Sequence, residues 1–549
     1  MARYTPILAT SGVITILLTR LLPHLLFVGP VTTFICLVST LSLARAFYYI
    51  IIWPRFVSPL RHLPGPERES YFMGHGNSII NMPIGEPHKA FLKIPNDGLI
   101  RYHTLWNREH IMPTNARVLQ QALTTDIDIW VKPPQMRLGL GRILGSRSVL
   151  FAEGEEHKAH RRIMNPAFSR KQIKNLVPVF WEKAVYLGDK VASEAPKQEN
   201  AGWLDMALWA SLGTLDIIGA AGLGYDFRAM ETGGNGSEIA RAYNVIFTQR
   251  RGRKVMQLLM TIFPNWLLKN IPIKRNIEMR AAHASIVSAC HELIRTKRQE
   301  LKSQTAGDEK DILSVMINSS YWDAPSTGGD DGIQEQLMTF LAAGHETTST
   351  LVQWALHLLT LHPQYQTLLR TELRNKFPTC PSPAHMTYEI LDSLPLLRNF
   401  TQEVIRFYPP VALTMREAAR ATTLDGHPIP AGTTLVIVPW ALQKDPKVWG
   451  PDADEFRPER WEGRTLDSNY DILTFLAGPR ICIGKDFARM EFMAIMAVLM
   501  ARFTFESTGR EIEIQGGITS RPKGGLKLKV TEIIPESHAP QTAEASAGQ

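Results

Sequence analysis

Cysteine is scarce in this chain of 549 residues, which has four in all. The spacing of the four, Cys36, Cys290, Cys380 and Cys482, suits neither a disulfide framework nor a zinc site. The soluble part of the protein is therefore expected to face a reducing compartment. A Gly-rich dinucleotide fingerprint is also absent, which argues against a nicotinamide or flavin domain within the chain.

Signatures of nucleic-acid binding are missing too, although the chain is basic. The 60 basic and 52 acidic residues give a net charge of +8, but no zinc-finger or RNA-binding motif accompanies that excess. We interpret it as a basic solvated surface. Such a surface can also attract an acidic membrane or an acidic partner protein.

The amino-terminal region has the composition of a membrane anchor. Leu25–Ala44 is almost uncharged and reaches the roughly 20 residues that a helix needs to cross a bilayer. An earlier apolar stretch, Pro6–Leu22, is interrupted by Arg20. A cleaved signal peptide is the competing interpretation, but the span is too long and lacks a small-residue cleavage site. Residues 1–53 are thus predicted to form the anchor, with one or two crossing segments left open.

The flanking residues predict the orientation of this anchor. Phe47–Trp53 is an aromatic and aliphatic run that suits the membrane interface. Arg45, Arg55 and Arg61 favour a cytosolic location for the domain after the anchor, by the positive-inside tendency. Residues 54–66 are rich in proline and are expected to form a stiff, extended hinge.

Beyond the hinge, the pattern of apolar residues indicates a mainly helical α+β domain with small β sheets at 67–534, followed by a disordered tail at 535–549. The predicted helices are Gln172–Ala192, Trp203–Ile218, Asn276–Gln304 and Ile333–Leu361. The predicted strands are Thr433–Val438 and Leu526–Val530.

Cys482 lies in the most informative run of the chain, Phe475–Gly484, with the sequence FLAGPRICIG. Gly478 and Gly484 permit tight backbone conformations and the close approach of a flat ligand. A helical segment comes next, so amide groups around Gly484 are expected to point at the sulfur and stabilise its anion. The run therefore predicts a thiolate that binds a metal.

The spacing Phe-x-x-Gly-x-Arg-x-Cys-x-Gly resembles the haem-binding signature of the cytochrome P450 family. Further motifs occur in the family's order from about Leu63 to Val530. The resemblance implies the cytochrome P450 fold and a haem b whose iron is axially ligated by Cys482, with Phe475 and Arg480 at the cofactor. The anchor and the proline-rich hinge look like those of microsomal, fungal members.

A second motif, Ala343-Gly344-His345-Glu346-Thr347-Thr348, lies within the predicted helix Ile333–Leu361. A glycine inside a helix costs about 1 kcal/mol relative to alanine, which favours a functional reason for it. Small residues leave room above a haem face, and a hydroxyl can open the backbone hydrogen bonding. By the resemblance, Glu346 and Thr347 are the catalytic acid–alcohol pair that relays protons.

Cations are expected around the two haem propionates. The resemblance implies Arg161, Arg416 and Arg480 for this role. His157 stands where the family commonly has tryptophan, and an imidazole can still donate one hydrogen bond.

The family also implies a buried ionic triad of Glu403, Arg406 and Arg460. Its role would be structural, because removal of one member would leave buried charges without partners.

The resemblance implies a monooxygenase that activates O₂ with NADPH-derived electrons. The expected donor is a separate membrane-bound NADPH–haemoprotein reductase, with cytochrome b5 as a further possible donor, and the expected location is the endoplasmic reticulum membrane with a cytosolic catalytic domain. The segments expected to line the pocket are mostly apolar and favour a lipophilic substrate that enters from the membrane, such as a terpenoid or polyketide intermediate of fungal secondary metabolism. These segments are Gln135–Leu144, Phe247–Phe263, Leu341–Thr347, Val411–Thr414 and Gly516–Ser520.

Two alternatives to a monooxygenase stay open. A haem-thiolate isomerase or peroxide-dependent oxidase needs no external electrons, and loss of Thr347 would have favoured it. A non-catalytic haem-binding membrane protein would have no need for a proton relay. Three Asn-x-Ser/Thr tripeptides, at Asn235, Asn318 and Asn399, are interpreted as chance matches in a cytosolic domain.

Overall fold

The computed structural model describes residues 5–21, 29–197, 203–233, 238–247, 268, 270–303 and 311–533. The tail predicted to be disordered, 535–549, lies outside these residues. Within them, long helices form most of the molecule and short strands lie at its margins. This arrangement confirms the predicted mainly helical class with small sheets.

The helices of the first half, in chain order, are α1 (Thr5–Leu21), α2 (Pro30–Phe47), α3 (Gly76–Asn81), α4 (Glu86–Phe91), α5 (Ala116–Gln120), α6 (Pro134–Leu144), α7 (Gly154–Met164), α8 (Arg170–Glu194), α9 (Met206–Ile217) and α10 (Glu238–Phe247). Those of the second half are α11 (Lys274–Ser303), α12 (Ile312–Ile317), α13 (Gly329–Leu361), α14 (Pro363–Lys376), α15 (Tyr388–Asp392), α16 (Pro395–Phe407), α17 (Pro439–Leu442), α18 (Pro446–Trp449) and α19 (Lys485–Arg502).

The strands are β1 (Leu99–His103), β2 (Glu109–Pro113), β3 (Trp130–Val131), β4 (Trp203–Asp205), β5 (Thr414–Ala418), β6 (Thr422–Leu424), β7 (His427–Ile429), β8 (Thr434–Ile437), β9 (Phe503–Ser507), β10 (Ile514–Gln515), β11 (Arg521–Pro522) and β12 (Lys527–Glu532). The largest sheet has the order β1-β2-β8-β5-β3, and a second sheet has the order β4-β12-β9. Strands β2 and β8 pair in parallel, whereas the neighbouring pairs are antiparallel.

Two hydrophobic cores hold these elements together. The larger core joins the helices α8, α9, α13 and α19, and the smaller one lies beneath the five-stranded sheet. Helix α13 is buried along most of its length, which explains why its apolar residues are not confined to one face. This helix is the central support from which the candidate site is built.

The predicted elements are recovered with one correction. Trp203–Asp205, expected to begin a helix, forms strand β4 and pairs with β12. The helix begins only at Met206, because the Asp205 side chain accepts a hydrogen bond from the amide of Ala207 and caps that end. Pairing with a distant strand overrides the local helical pattern here.

The connector between anchor and domain also differs from the prediction. Instead of an extended hinge at 54–66, a π-helix continues α2 from Tyr48 to Val57, and a short 3₁₀ helix covers Pro59–His62. Within this π-helix, the carbonyl of Ile50 accepts a hydrogen bond from Asn107 Nδ2 at 2.6 Å. The end of the helix is therefore attached to the domain by a side-chain hydrogen bond.

Within the described residues, two helical segments are long and apolar enough to cross a membrane, and Leu8–Leu21 of α1 is a shorter apolar helix. Pro30–Val57 has no buried residues in its most apolar stretch, whereas the second segment, Met206–Leu223, is 78% buried. The second is therefore a core helix of the domain. The first is consistent with an amino-terminal anchor.

Two histidines lie beside Tyr102 in the sheet region, the buried His88 and the half-buried His110. His88 Nε2 is 3.1 Å from the Tyr102 hydroxyl, and the ring of His110 contacts the Tyr102 ring edge-on. Burial, with a contribution from neighbouring charges, lowers the pKa of His88 and of His110 to about 4. Both rings are thus neutral in the folded protein at neutral pH.

We expect the fold to lose stability as the pH falls from about 6.5, the ordinary histidine pKa, towards about 4. In this window the unfolded chain binds protons that His88 and His110 do not bind when folded, and each loss approaches roughly 3 kcal/mol. Urea unfolding followed by circular dichroism at several pH values measures the slope. His88→Gln should reduce the slope, and the exposed His385→Gln should leave it unchanged. An undiminished slope in His88→Gln would contradict this explanation.

Candidate active site

The cysteine loop is closed by its own backbone. The amide of Cys482 donates to the carbonyl of Phe475 at 2.8 Å. Gly478 has φ +71°, and a Cβ atom there would lie 2.4 Å from the carbonyl oxygen of Leu123. Glycine is required at this position both by conformation and by space. The loop thus presents Cys482 just before α19 begins at Lys485.

Cys482 is exposed, yet burial raises the pKa of its thiol. Together these two observations indicate that the thiol faces a space enclosed by the protein. A hydrogen bond from the Gly484 amide and the positive charges of Arg161 and Lys485 oppose that increase. These groups agree with the predicted helix-start stabilisation of a thiolate. A metal at the sulfur would add the remaining stabilisation, since metal ligation deprotonates a thiol.

A cluster of cations lies beside this loop. Arg416 is 1% exposed, and its Nη1 donates to the carbonyl of Met415 at 2.8 Å. Arg480 binds Glu153 and the carbonyl of Ala152, while its Nε is buried without a partner among the described residues.

Lys132 joins these two arginines. Burial lowers the pKa of Lys132 well below its usual range, and Arg416 and Arg480 lower it further. Burial, with a contribution from Arg480, lowers the pKa of Arg416 to about 10. Glu153 is the one carboxylate that acts on all three cations within the described chain. This surplus of buried positive charge is suited to an anionic ligand.

His157 and Arg161, one turn apart on α7, border the same cluster. Burial, with nearby Arg480, Lys132 and Arg161, lowers the pKa of His157 to about 3. The imidazole is therefore neutral and keeps one N–H to donate. Arg161 Nη1 donates to the carbonyl of Ile481 at 3.0 Å, which fixes α7 against the cysteine loop.

Helix α13 has an opening in its middle. Ala343 is exposed and Thr347 is half-buried, although most residues around them are buried. Thr347 Oγ1 donates to the carbonyl of Ala343 at 2.8 Å, a hydrogen bond within the continuous helix. The small size of Gly344 was predicted to leave space above a ligand. Instead, a Cβ atom there would lie 2.8 Å from Ile218, so the glycine allows α13 to pack closely against Ile218, the residue that follows α9.

Glu346 is buried and is held by residues near the carboxyl terminus. Its Oε1 accepts a hydrogen bond from Thr519 at 2.7 Å and lies 3.6 Å from Arg521 Nη1. Burial raises the pKa of Glu346, and both partners oppose that increase. Arg521 also donates to the carbonyl of Phe247 at 2.6 Å, so it joins the end of α10 to the acid on α13.

Comparisons with known proteins agree with this geometry. The sequence profile of the cytochrome P450 family matches residues 64–530. The chain belongs to the cytochrome P450 family.

Curated relatives carry the same family name. Cytochrome P450 monooxygenase sphH of Aspergillus fumigatus is 36% identical over 92% of this chain and 95% of its own length. FUM15 of Gibberella moniliformis is 36% identical over 88% and 90% of the two chains, and ptmK of Penicillium ochrochloron is 33% identical over 92% and 100%. The chain is therefore a cytochrome P450 monooxygenase, an oxidoreductase similar to fungal enzymes. Such enzymes generally use a reductase partner and lipophilic substrates.

The residues present fit the cysteine-ligated haem that the family implies. Cys482 supplies a thiol that opens on an internal space, and the buried cations supply partners for two propionates. Arg480 has a donor nitrogen without a partner among the residues described. The fit extends to the opening at Ala343 and Thr347, which leaves part of α13 uncovered by protein.

The P450 ionic triad is also present. Glu403 accepts two hydrogen bonds from Arg406, at 2.8 and 2.7 Å, and lies 3.4 Å from Arg460 Nε. Glu403 and Arg406 have no exposed side-chain surface, in agreement with the expected burial. The contacts of Arg406 with backbone carbonyls around 443–455 indicate a structural role for the triad.

Sequence reasoning missed Lys132 and Arg521, and it named Thr519 only as part of the expected pocket segment Gly516–Ser520. Lys132 follows the short strand β3 in a segment without a motif. The bond between Thr519 and Glu346 joins residues 173 positions apart, and Arg521 lies two residues further on. No local pattern predicts these contacts. Of the expected pocket-lining segment Phe247–Phe263, residues 248–263 lie outside the described residues.

Replacement of Lys132 should separate the stability of the apoprotein from the retention of haem. Lys132→Met removes one of several repelling cations, so we expect the haem-free protein to be as stable as the parent or more stable. Haem should dissociate about tenfold faster or more, because a hydrogen bond to a charged group contributes roughly 1.5–3 kcal/mol. Haem transfer to an acceptor protein and urea unfolding of the apoprotein measure the two effects. Lys171→Met, at an exposed lysine, is the control; equal haem retention in both variants would contradict the assignment.

Replacement of Arg521 should shift the titration of Glu346 upward. The guanidinium lowers the pKa of that carboxyl, so in Arg521→Gln the carboxyl should stay protonated to higher pH. Infrared titration of the carboxyl C=O band, with Glu346→Gln to identify the band, measures the change. Arg521→Lys keeps the charge and should show a smaller shift. Coincident titrations of the parent, Arg521→Gln and Arg521→Lys would refute the interaction.

Proposed function

We propose that this chain oxidises a lipophilic small molecule with O₂, at a haem b held by Cys482. The observation that carries the proposal is the opening at Thr347, where a hydroxyl borders an uncovered part of an otherwise buried helix. A thiolate-ligated haem supplies an oxidant strong enough to attack unactivated C–H bonds. The chain's own residues then have to hold the cofactor, move protons and exclude bulk water.

Two sets of residues divide this work in the proposal. Cys482, Arg416, Arg480 and Lys132 hold the cofactor through its metal and its carboxylates. His157 and Arg161 border the same carboxylates and brace the loop.

Thr347 and Glu346 would move protons in the proposed reaction. Thr347 Oγ1 is open to the space beside Ala343, and a hydroxyl can both accept and donate a proton. Glu346 is buried with a raised pKa, and an acid tuned towards neutral pH is suited to proton transfer. The Glu346 carboxylate accepts a hydrogen bond from Thr519, and the Thr347 hydroxyl donates to the Ala343 carbonyl. Because these bonds lead to other groups, an ordered water would connect the two side chains.

The electrons would come from a separate membrane-bound NADPH–haemoprotein reductase, with cytochrome b5 as an additional donor. Lys158, Arg162 and Lys485 are exposed on α7 and at the start of α19, the elements that flank the cysteine loop. A basic surface at this place favours an acidic donor protein. We infer an endoplasmic reticulum location with the catalytic domain in the cytosol, in agreement with the exposed apolar helix at the amino terminus.

The substrate would be a terpenoid or polyketide intermediate of fungal secondary metabolism. The support is the similarity to fungal monooxygenases and the apolar character of the expected pocket segments. Both classes present hydrocarbon surface that an apolar pocket can bury.

Reconstitution with a fungal NADPH–P450 reductase tests the proposed reaction. The reduced carbon monoxide complex should show the strongly red-shifted Soret band of thiolate ligation, and Cys482→His should abolish that band. Cys290→Ser, at a buried cysteine outside the site, should retain it. With candidate substrates, NADPH consumption should accompany product formation. If the enzyme forms product with peroxide and never with NADPH and reductase, the monooxygenase assignment fails in favour of the peroxide-dependent alternative.

A further inference from the structure

The first two helices pack against each other with polar side chains inside. Helix α1 lies along α2, and the side chains most buried by this contact are Ser11, Thr15 and Thr33. A Cβ atom at Gly12 would lie 4.0 Å from Phe34, an ordinary van der Waals distance, so Gly12 borders this contact without a requirement for glycine. Small and hydroxyl-bearing residues therefore form the interface between the helices.

Aliphatic side chains cover the outside of the same helix pair. The exposed ones are Leu8, Val13, Ile16, Leu17, Leu21, Val31, Ile35 and Leu43. Helices that pack in water place their apolar side chains inside. The inverted arrangement is typical of helices that pack within lipid, where small residues allow close contact and the hydrocarbon solvates the rest.

The buried threonine hydroxyls in this contact bond within their own helices, whereas the Ser11 hydroxyl is buried without a hydrogen-bond partner among the described residues. Thr15 Oγ1 donates to the carbonyl of Ser11 at 2.7 Å, and Thr19 Oγ1 donates to the carbonyl of Thr15 at 2.7 Å. Thr33 Oγ1 donates to the carbonyl of Gly29 at 3.2 Å. Such bonds within a helix satisfy polar groups in a solvent that offers none.

The lengths and charges of both helices match a bilayer. Helix α1 has 17 residues and α2 has 18, which correspond to about 26 and 27 Å, close to the roughly 27 Å hydrocarbon thickness of the endoplasmic reticulum membrane. Their basic residues, Arg20 and Arg45, lie in the last turn of each helix. Long basic side chains can reach the headgroups from such positions. The Arg45 guanidinium also lies 4.9 Å from the centre of the Tyr49 ring, at the start of the aromatic run.

We propose that α1 and α2 both cross the bilayer as a helical hairpin, which places the start of α1 on the same side as the catalytic domain. A chain that returned across the hydrocarbon between Leu21 and Pro30 without secondary structure would leave its backbone polar groups unpaired, so the two helices run in opposite directions. The lipid bilayer is the partner that covers the aliphatic surface. Only the side of the membrane assigned to each end rests on the proposed cytosolic location of the catalytic domain.

Glycosylation mapping on the full-length chain, expressed in yeast, tests this topology. An Asn-x-Thr acceptor with flexible Gly/Ser spacers is added before Met1, between Leu21 and Pro30, or after Gln549, with one acceptor in each variant. Lumenal acceptors are modified and give a gel shift that endoglycosidase removes. The Soret spectrum of the carbon monoxide complex verifies that each tagged protein is folded.

The hairpin requires the acceptors before Met1 and after Gln549 to behave alike and the acceptor between Leu21 and Pro30 to behave differently. With a cytosolic catalytic domain, only the acceptor between the helices is modified. Different behaviour of the two terminal acceptors would show a single crossing, and identical behaviour of all three would show no crossing. Either result overturns the proposal.

The same three variants separate failure of the hairpin from failure of the proposed location. Modification of both terminal acceptors, with none between Leu21 and Pro30, would support the hairpin and contradict a cytosolic catalytic domain.

Protease protection of an epitope before Met1 gives an independent measurement of the same topology. In sealed microsomes with the cytosolic face outward, protease should digest this epitope and an epitope after Gln549 alike. Protection of the first epitope and digestion of the second, with digestion of both after detergent, would overturn the hairpin even if a spacer had disturbed the glycosylation assay.

Discussion

Unneutralised positive charge at the cofactor pocket is the constraint on which the site depends. Lys132, Arg416 and Arg480 are gathered around a single shared carboxylate, Glu153. Burial of an unpaired charge costs several kcal/mol even after relaxation. A fold that brings these cations together gains stability when an anionic group binds between them, so occupancy of the pocket and stability of the domain are linked equilibria.

The ionic triad is the opposite case, because its charges are satisfied within the protein. Glu403 and Arg406 are fully buried and bonded to each other, and Gln443 connects them to the cysteine loop. Its Nε2 donates to the carbonyl of Arg406 at 2.7 Å, while its Oε1 accepts from the amide of Leu473 at 2.7 Å and the hydroxyl of Thr474 at 3.0 Å. The residue after Thr474 is Phe475, whose carbonyl closes the loop around Cys482. The ion pair of Glu403 and Arg406 thus helps to position Cys482, which it does not contact.

This contrast explains which features could be predicted from the sequence. The bond between Cys482 and Phe475 and the pair Glu403–Arg406 join residues a few positions apart, and fixed spacing encodes them. Lys132 and Arg521 act through residues that are distant in the chain, and each is a single cation among 60 basic residues. Their roles depend on folding and leave no local pattern.

Two further predictions were wrong because a real sequence pattern had a different structural cause from the one expected. Gly344 is unusual inside a helix, as predicted, yet its small size serves packing against Ile218. Trp203 fits a helical pattern, but pairing with β12 places it in a strand. In both cases the residue type was informative, whereas its partner depended on the folded structure.

The amino-terminal connector extends the same reasoning to the membrane. Asn107 Nδ2 donates to the carbonyl of Ile50 in the π-helix, and the Trp53 indole donates to Glu109 at 3.1 Å. Both partners belong to the catalytic domain, with Asn107 just before β2 and Glu109 at its first position. The segment around Pro54, predicted to be a stiff and extended hinge, is instead a helix that these two bonds join to the domain. The orientation of the catalytic domain relative to α2 is therefore determined by specific hydrogen bonds rather than by a flexible tether.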